Sequence, residues 1–253
     1  MCLILLAWRV HPDYPLVVAA NRDEFFTRPT APAGFWSDAS EVFAGRDLEA
    51  GGTWLGATRG GRFAALTNYR DPARNRNGAP SRGELVSAFL RGNATPADYI
   101  ARLQPRSGAY NGFNLLAGDG HDMHYFSNVA EESGHIGPLA PNVYGLSNHL
   151  LDTPWPKVAR GKSALTAALD ALPDAEPLFE LLRDDCQAAD EELPRTGVSL
   201  EWERLLSAAF IRSPAYGTRS STVVLRDTAG NTTFIEQTWD RDGGPAGRVQ
   251  KSF

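Results

Sequence analysis

Cysteine at position 2, directly behind Met1, is the residue that could do chemistry with least help from elsewhere. Its side chain is small, so removal of Met1 by an aminopeptidase is sterically plausible. Removal would leave a thiol and a free α-amine on one residue. Such an amine ordinarily titrates at about 7.7–8.0 and a thiol at about 8.5. Together they are a nucleophile with its own base. The competing reading is a buried and inert thiol. The only other cysteine, Cys186, falls on the apolar stripe Leu178, Leu182, Cys186 of an expected helix and reads as core.

Polar groups follow apolar runs at three further places. Asn21-Arg22-Asp23-Glu24 ends the run Leu16 to Ala20. A turn at His11 to Asp13 lies midway between Cys2 and this cluster, so a hairpin would return Asn21, Arg22 and Asp23 beside Cys2. Arg22 would then favour a thiolate, and Asp23 would hold the α-ammonium. A solvated turn with a local ion pair is the alternative. Asn68 closes Arg62 to Asn68, and Asn148 follows Gly145-Leu146-Ser147. Side-chain amides at strand ends can donate to a developing oxyanion, and Asn is also an ordinary turn residue. Arg219 stands alone among the hydroxyls of Thr218-Arg219-Ser220-Ser221-Thr222. If buried it needs a carboxylate, from a substrate or from Asp23. Arg70, Arg74, Arg76 and Arg82 occupy a loop rich in Asn, Pro and Gly. That loop could clamp an anionic substrate or simply be solvated. Trp36, Trp54 and Trp155 line a pocket or fill a core.

The elements that must position these groups read as follows. Leu3 to Val10 and Leu16 to Asn21 are strands of one hairpin. Val42 to Ala44, Thr53 to Thr58 and Arg62 to Asn68 are further strands, the last two joined around Gly60-Gly61. Ser81 with Glu84 is a capping box opening a helix over Arg82 to Leu90. Thr95-Pro96 starts a helix to Leu103, and Thr153-Pro154 starts one to Leu172. Glu176 to Ala189 and Glu201 to Ala209 are also helical. Asn114 to Gly118, Met123 to Asn128 and Val143 to Ser147 return to strand. Ser220 to Arg226 and Thr232 to Trp239 pair around Thr228 to Asn231. Strands in hairpins with segregated helices predict α+β layers rather than βαβ units. One domain is expected over 1–242, with 243–253 as a loose tail.

Composition narrows the class. Of 253 residues, 42% are apolar and 22% charged, which suits a chain that buries a real core. A net charge of −5 lacks the basic footprint of a nucleic-acid partner. Two cysteines make no disulfide framework. Cys2 to Ala7 is too short for a signal segment, and no run approaches the roughly 20 apolar residues of a membrane span. A reduced, cytoplasmic setting fits best. No His-Glu-x-x-His or clustered ligand spacing supports a metal.

Several stretches together resemble the NRDE family, also called the transport-and-Golgi-organisation family. They are Met1-Cys2-Leu3, Asn21-Arg22-Asp23-Glu24, Ala44-Gly45-Arg46-Asp47, Gly51-Gly52-Thr53-Trp54-Leu55-Gly56, Asn68-Tyr69-Arg70, Ser81-Arg82-Gly83-Glu84-Leu85, Gly145-Leu146-Ser147-Asn148, Thr153-Pro154-Trp155-Pro156-Lys157 and Tyr216 to Thr222. That family in turn resembles the N-terminal nucleophile hydrolases of the choloylglycine hydrolase and penicillin V acylase branch. The resemblance implies a four-layer αββα fold and cleavage of a linear amide bond in a small molecule without a cofactor. It implies catalytic roles for Cys2, Arg22, Asp23, Asn68, Asn148 and Arg219. Asn21, Arg70, Arg82 and Trp54 are expected to contact substrate. One departure stands out: the hydrolases space their Arg and Asp, whereas Arg22 and Asp23 are adjacent. Neighbours on a strand point to opposite faces, so only one should face Cys2 unless the strand ends or bulges there. The resemblance also implies an alternative, a non-catalytic carrier of haem or another amphipathic ligand linked to lipid metabolism. Haem ligands would come from Cys2, His11, His121, His124, His135 or His149. His121 and His124 are expected to be solvated, and Cys2 can serve either reading.

Overall fold

Every side chain of strand β1 (Cys2–Trp8) is buried, so both faces of this strand are covered. The computed structural model describes residues 2–129 and 135–253, with only the main chain at 135–136. Strand β2 (Leu16–Phe25) returns antiparallel to β1. The second sheet takes β3 (Thr30–Trp36), β4 (Ala39–Asp47), β5 (Leu55–Thr58), β6 (Phe63–Asn68), β7 (Phe113–Gly118), β8 (Met123–Ser127) and β9 (His135–Ile136), in that order. Strands β10 (Asn142–Leu146), β11 (Tyr216–Arg226), β12 (Thr232–Trp239) and β13 (Pro245–Ser252) complete the first sheet in the order β10-β1-β2-β11-β12-β13. All the pairings are antiparallel.

The period of two sorts side chains between layers. Ile4, Leu6 and Trp8, with Leu16, Val18 and Ala20, meet Phe43, Leu55, Phe63 and Leu116 of the second sheet. Leu3, Leu5 and Ala7, with Val17 and Ala19, face outward. There they meet α3 (Pro156–Ala168) through Val158 and Leu165, and α4 (Glu176–Leu182) through Leu178, Phe179 and Leu182. The outer face of the second sheet is covered by α1 (Gly83–Arg91) and α2 (Pro96–Leu103) through Leu85, Phe89, Ile100 and Leu103. The result is the expected α/β/β/α sandwich. A short α5 (Leu200–Leu206) precedes β11.

Close approach fixes α3 on the sheet. A Cβ on Gly161 would meet the Leu5 side chain at 2.8 Å, and one on Gly145 would meet Val158 at 2.6 Å. Only glycine lets α3 lie this near β1 and β10.

Local signals hold in part. Thr95 caps α2, accepting from the Asp98 N–H, and Ser199 caps α5 in the same way from Trp202. The Ser81/Glu84 capping box does not form. Arg82 holds the cap position without a side-chain bond, and the Glu84 carboxylate is taken by the Tyr110 hydroxyl. The third helix starts at Pro156 rather than Pro154, because the Thr153 hydroxyl donates to the Leu150 carbonyl in a turn. Helix α4 stops at Leu182, not Ala189. Beyond it the Asp184 carboxylate accepts the Cys186 N–H at 3.0 Å, and the Asp184 carbonyl accepts the N–H groups of Ala209 and Phe210 at 3.0 and 2.8 Å. Cys186 is therefore exposed rather than core. The expected loose tail instead forms β13, paired along β12 at the sheet edge.

Asn21, expected at the substrate, is a brace. It projects into the helix layer, where its Nδ2 donates to the Leu182 and Ala209 carbonyls at 2.7 and 2.8 Å. Its Oδ1 accepts the Ser221 hydroxyl at 2.6 Å. Removing that amide orphans buried partners, each costing about 1–3 kcal/mol. Asn21→Ala should therefore lower stability by about 3 kcal/mol, read as a reduced urea midpoint with an unchanged slope.

Candidate functional site

The hairpin register places Cys2 directly opposite Arg22. Position 2 is in phase with Ile4 and Leu6, and position 22 with Val18 and Ala20, so both side chains enter the space between the sheets. Asp23 is out of phase and takes the helix side. The adjacency of Arg22 and Asp23 is thus resolved without a break in β2, which runs on to Phe25. The irregularity lies instead on β11, between Thr218 and Ser220.

Apolar packing between the sheets gives way at this end to a cleft of about 390 Å³ lined by Cys2, Arg22, Asp23, Trp54, Asn68, Arg82 and Glu236 among others. Cys2 is 8% exposed and Arg22 7%. One guanidinium nitrogen of Arg22, Nη1, is buried with no hydrogen bond among the described residues. Its Nη2 lies 3.9 Å from Glu24. Burial pushes the Cys2 thiol up and the Asp23 carboxylate adds to this, while Arg22 and the Asp23 N–H pull it down. A cation across the strand pair and a main-chain donor are what a buried thiol needs to ionise.

Below the sheet, Asp23 is 1% exposed. Its Oδ1 accepts the Thr218 hydroxyl at 2.7 Å, and its carbonyl accepts the Tyr216 phenol at 3.2 Å. Burial raises the carboxyl, whereas the charge of Lys157 and the Thr218 hydroxyl lower it. Burial likewise holds the Tyr216 phenol well above its ordinary range.

The other expected residues divide. Asn68, Arg82 and Trp54 line the cleft. Arg82 is tied by Nη1 to the Gly112 carbonyl at 3.0 Å. Asn148 lies behind the wall. Its Nδ2 donates to the Asn68 carbonyl at 2.9 Å, and its neighbour Ser147 donates to the Cys2 carbonyl at 3.1 Å. Together they join the ends of β6, β10 and β1. Arg219 sits at the β11 irregularity and donates to the carbonyls of Phe25 and Arg28 at 2.9 and 3.2 Å. It does not line the cleft.

Arg70, expected to contact substrate, does not line the cleft. It is buried, pairs with Glu203 of α5 at 2.9 Å and lies over Trp155 at 4.6 Å. Arg74 pairs with Asp71, and the Arg76 N–H donates to Asn111, so only Arg82 of the basic loop reaches the cleft. Trp36 is core, its indole N–H on the Ala44 carbonyl.

Among the described histidines none lines this cleft. His121 is exposed as expected, but His124 is buried, because it belongs to β8 rather than to the preceding turn. The His135 side chain lies outside the described residues. No three His, Cys, Asp or Glu among the described residues cluster so as to hold a metal ion.

Two cleft or near-cleft groups were missed. Glu236 of β12 lies in phase with Phe234, so it points between the sheets, and its Oε1 accepts the Ala33 N–H of β3 at 2.7 Å. Burial raises its carboxyl, with the Ala33 N–H and Arg22 opposing. Lys157 of α3 is buried on the helix side. Both carry a readable signal, a charge at an inward phase of a buried element.

Two packed antiparallel sheets between helix layers form the αββα sandwich of the N-terminal nucleophile hydrolases. The Caenorhabditis elegans N-acylethanolamine-hydrolyzing acid amidase ortholog matches it with a TM-score of 0.50, over 88% of this chain and 92% of that one, at 11% identity. By sequence, the family model for Transport and Golgi organisation 2 matches residues 1–241. The Transport and Golgi organization protein 2 homolog of Bos taurus is 41% identical over 94% of this chain and 92% of its own. That of Homo sapiens is 37% identical over 96% and 95%. The chain belongs to the Transport and Golgi organisation 2 family.

The Arg70–Glu203 pair predicts its own test. Glu203 also accepts the Thr196 N–H and hydroxyl at 2.7 and 2.6 Å. Truncating it strands a buried guanidinium, which costs about 3–5 kcal/mol. Glu203→Ala should lower the urea midpoint accordingly. A joint replacement, Glu203→Leu with Arg70→Met, should recover part of the loss, since neither charge then remains.

Proposed function

We propose that this chain is an N-terminal cysteine nucleophile hydrolase that cleaves a linear amide bond of a small molecule, acting in the cytoplasm and without a cofactor. The observation that carries the reading is the Cys2–Arg22 pair across β1 and β2, open to a cleft and backed by the buried Asp23 carboxylate. In this reading Met1 is removed. The Cys2 α-amine takes the thiol proton, and sulfur adds to the amide carbonyl. The Asn68 amide donates to the oxyanion and Arg22 stabilises the sulfur before attack. The amine returns its proton to the leaving nitrogen as the C–N bond breaks, leaving a thioester and a free amine. Water then adds, and the acid departs with thiol restored. Asp23 holds the α-amine, and Asn148 and Arg219 act as positioning residues, through the β6 end and the turn after β2. Arg82 and Trp54 contact substrate.

A second reading rests on the relatives, whose names speak of transport rather than of an enzyme. In it the same cleft carries haem or another amphipathic ligand without turnover, and Cys2 is the ligand to iron.

The test compares protein with an authentic Cys2 terminus against protein that retains Met1, across a panel of small amides. Retention converts the amine to an amide with no basicity but leaves the thiol. A positioned general base is worth roughly 10²–10⁴-fold, so turnover should fall by that factor with Met1 in place and vanish in Cys2→Ala. The mature form should also accumulate an acyl adduct on its N-terminal peptide, seen as intact mass. Equal turnover in both forms removes the built-in base. No turnover in either, with Cys2-dependent haem binding in optical titration, favours the carrier.

A further inference from the structure

One charge on the helix side of the Cys2 strand is not used by the chemistry above. Lys157 lies in the first turn of α3, 1% exposed. Its neighbours on the same stripe of the helix, at i+4 and i+8, are Gly161 and Leu165, both buried. Packing alone would favour an apolar residue at this point, because an ammonium taken out of water needs compensation. Its hydrogen bond to protein is a long one, from Nζ to the Ala208 carbonyl at 3.4 Å.

That bond fixes where the charge sits. The next carbonyl, Ala209, holds the Asn21 amide at 2.8 Å. Lys157 and Asn21 therefore dock on consecutive carbonyls, both on the helix side of β2. The next residue of β2 on that side is Asp23, about 7 Å beyond Asn21 at the rise of a strand. Burial drives both groups toward neutrality: it raises Asp23 and lowers Lys157 to about 8. Each opposes the shift of the other, and for Lys157 the Asp23 carboxylate is the largest opposing influence. The other groups that act on Asp23 are the amino terminus, whose charge lowers the carboxyl more than Lys157 does, Arg22 on its own strand, Arg70 beyond β6, the Cys2 thiol on β1 and the Tyr216 phenol on β11. Removal of Met1 would move that amine onto Cys2.

We propose that Lys157 is a positioning residue of the Cys2 site: from the first turn of α3 its ammonium balances the buried Asp23 carboxylate and so sets the charge behind the Cys2 main chain. Its use in catalysis rests on the hydrolase reading, but its coupling to Asp23 does not. The glycines at 145 and 161 give the arrangement its precision, since they hold α3 against β10 and β1.

The experiment uses the full chain with an authentic Cys2 terminus, as native protein, Lys157→Met and Lys157→Arg. Asp23 is titrated by carboxyl ¹³C shift, assigned through Asp23→Asn. Cys2 alkylation by iodoacetamide is followed over the same pH range. Loss of a nearby cation raises a carboxyl by about 1–3 units. The Asp23 midpoint should rise by about one unit or more in Lys157→Met and return toward native in Lys157→Arg. The acid limb of Cys2 alkylation should move with it. A merely structural lysine would leave both unmoved. Should Lys157→Met fail to fold, the reciprocal measurement serves: Asp23→Asn should lower the Lys157 midpoint, read from its side-chain ¹⁵N signal. An unmoved Asp23 midpoint in folded Lys157→Met, or an unmoved Lys157 midpoint in Asp23→Asn, overturns the proposal. Shifted midpoints in a chain that hydrolyses no amide would uphold the coupling while removing the hydrolase reading.

Discussion

The site depends on the register of the first hairpin. Because Cys2 pairs with Arg22, thiol and guanidinium share one face and Asp23 takes the other. A slip of one residue would exchange the two faces of β2. It would put Asp23 against the thiol and send Arg22 to the helix side, while Val17 and Ala19 changed places with Val18 and Ala20. The register is pinned because both faces of the hairpin are packed. Covering a strand on two sides usually argues for an unbroken apolar run, and β2 obeys that rule until Ala20. The polar residues after it can exist only because the sheet there meets a cleft on one side and a hydrogen-bonded helix layer on the other.

Charge is then divided by the sheet. Above it, Arg22, Arg82 and Glu236 border the cleft with Cys2. Asp23 touches the same cleft, but its carboxylate is buried below the sheet with Lys157, with the Arg70–Glu203 pair beyond. Desolvation of each ion costs several kcal/mol, so groups left in this way are tolerated only when they balance one another. The balance is distributed: Arg22 eases both Cys2 and Glu236, and Arg70 feels Glu203 and Asp23 together. Replacing a single member should therefore shift its neighbours rather than act at one atom.

Much of this was legible in the sequence where the signal is local. The β1–β2 and β11–β12 hairpins follow from apolar runs around polar turns. The Thr95 cap follows from its chemistry. The placement of Cys2 beside Arg22 follows from counting residues to the midpoint turn. What was illegible depends on partners distant in the chain. Helix propensity continues past Leu182, but carbonyl and carboxylate bonds from Asp184 end α4. Residues 245–252 look like a tail until β12 offers an unpaired edge. Arg70 looks like part of a basic loop because Glu203 lies 133 positions away. Asn21 and Asn148 have the chemistry of site residues, and nothing local says that their amides are occupied by Leu182, Ala209 and Asn68. Lys157 and Glu236 could have been found, since each places a charge at the buried phase of its element.

The cleft itself follows from the same switch of residue type. At the Trp8–Leu16 end of the hairpin, apolar side chains fill the gap between the sheets. At the Cys2–Arg22 end the inward positions are a thiol, a guanidinium and, on β12, a carboxylate, none of which can close a dry interface. Glu236 instead ties the sheets through one bond to the Ala33 N–H, and a Cβ at Gly45 would stand 3.4 Å from its second oxygen. A hydrogen-bonded strut leaves open space beside it that apolar interdigitation would have filled. The thiol and the charged groups at this end of the sandwich are thus the ones that keep it open.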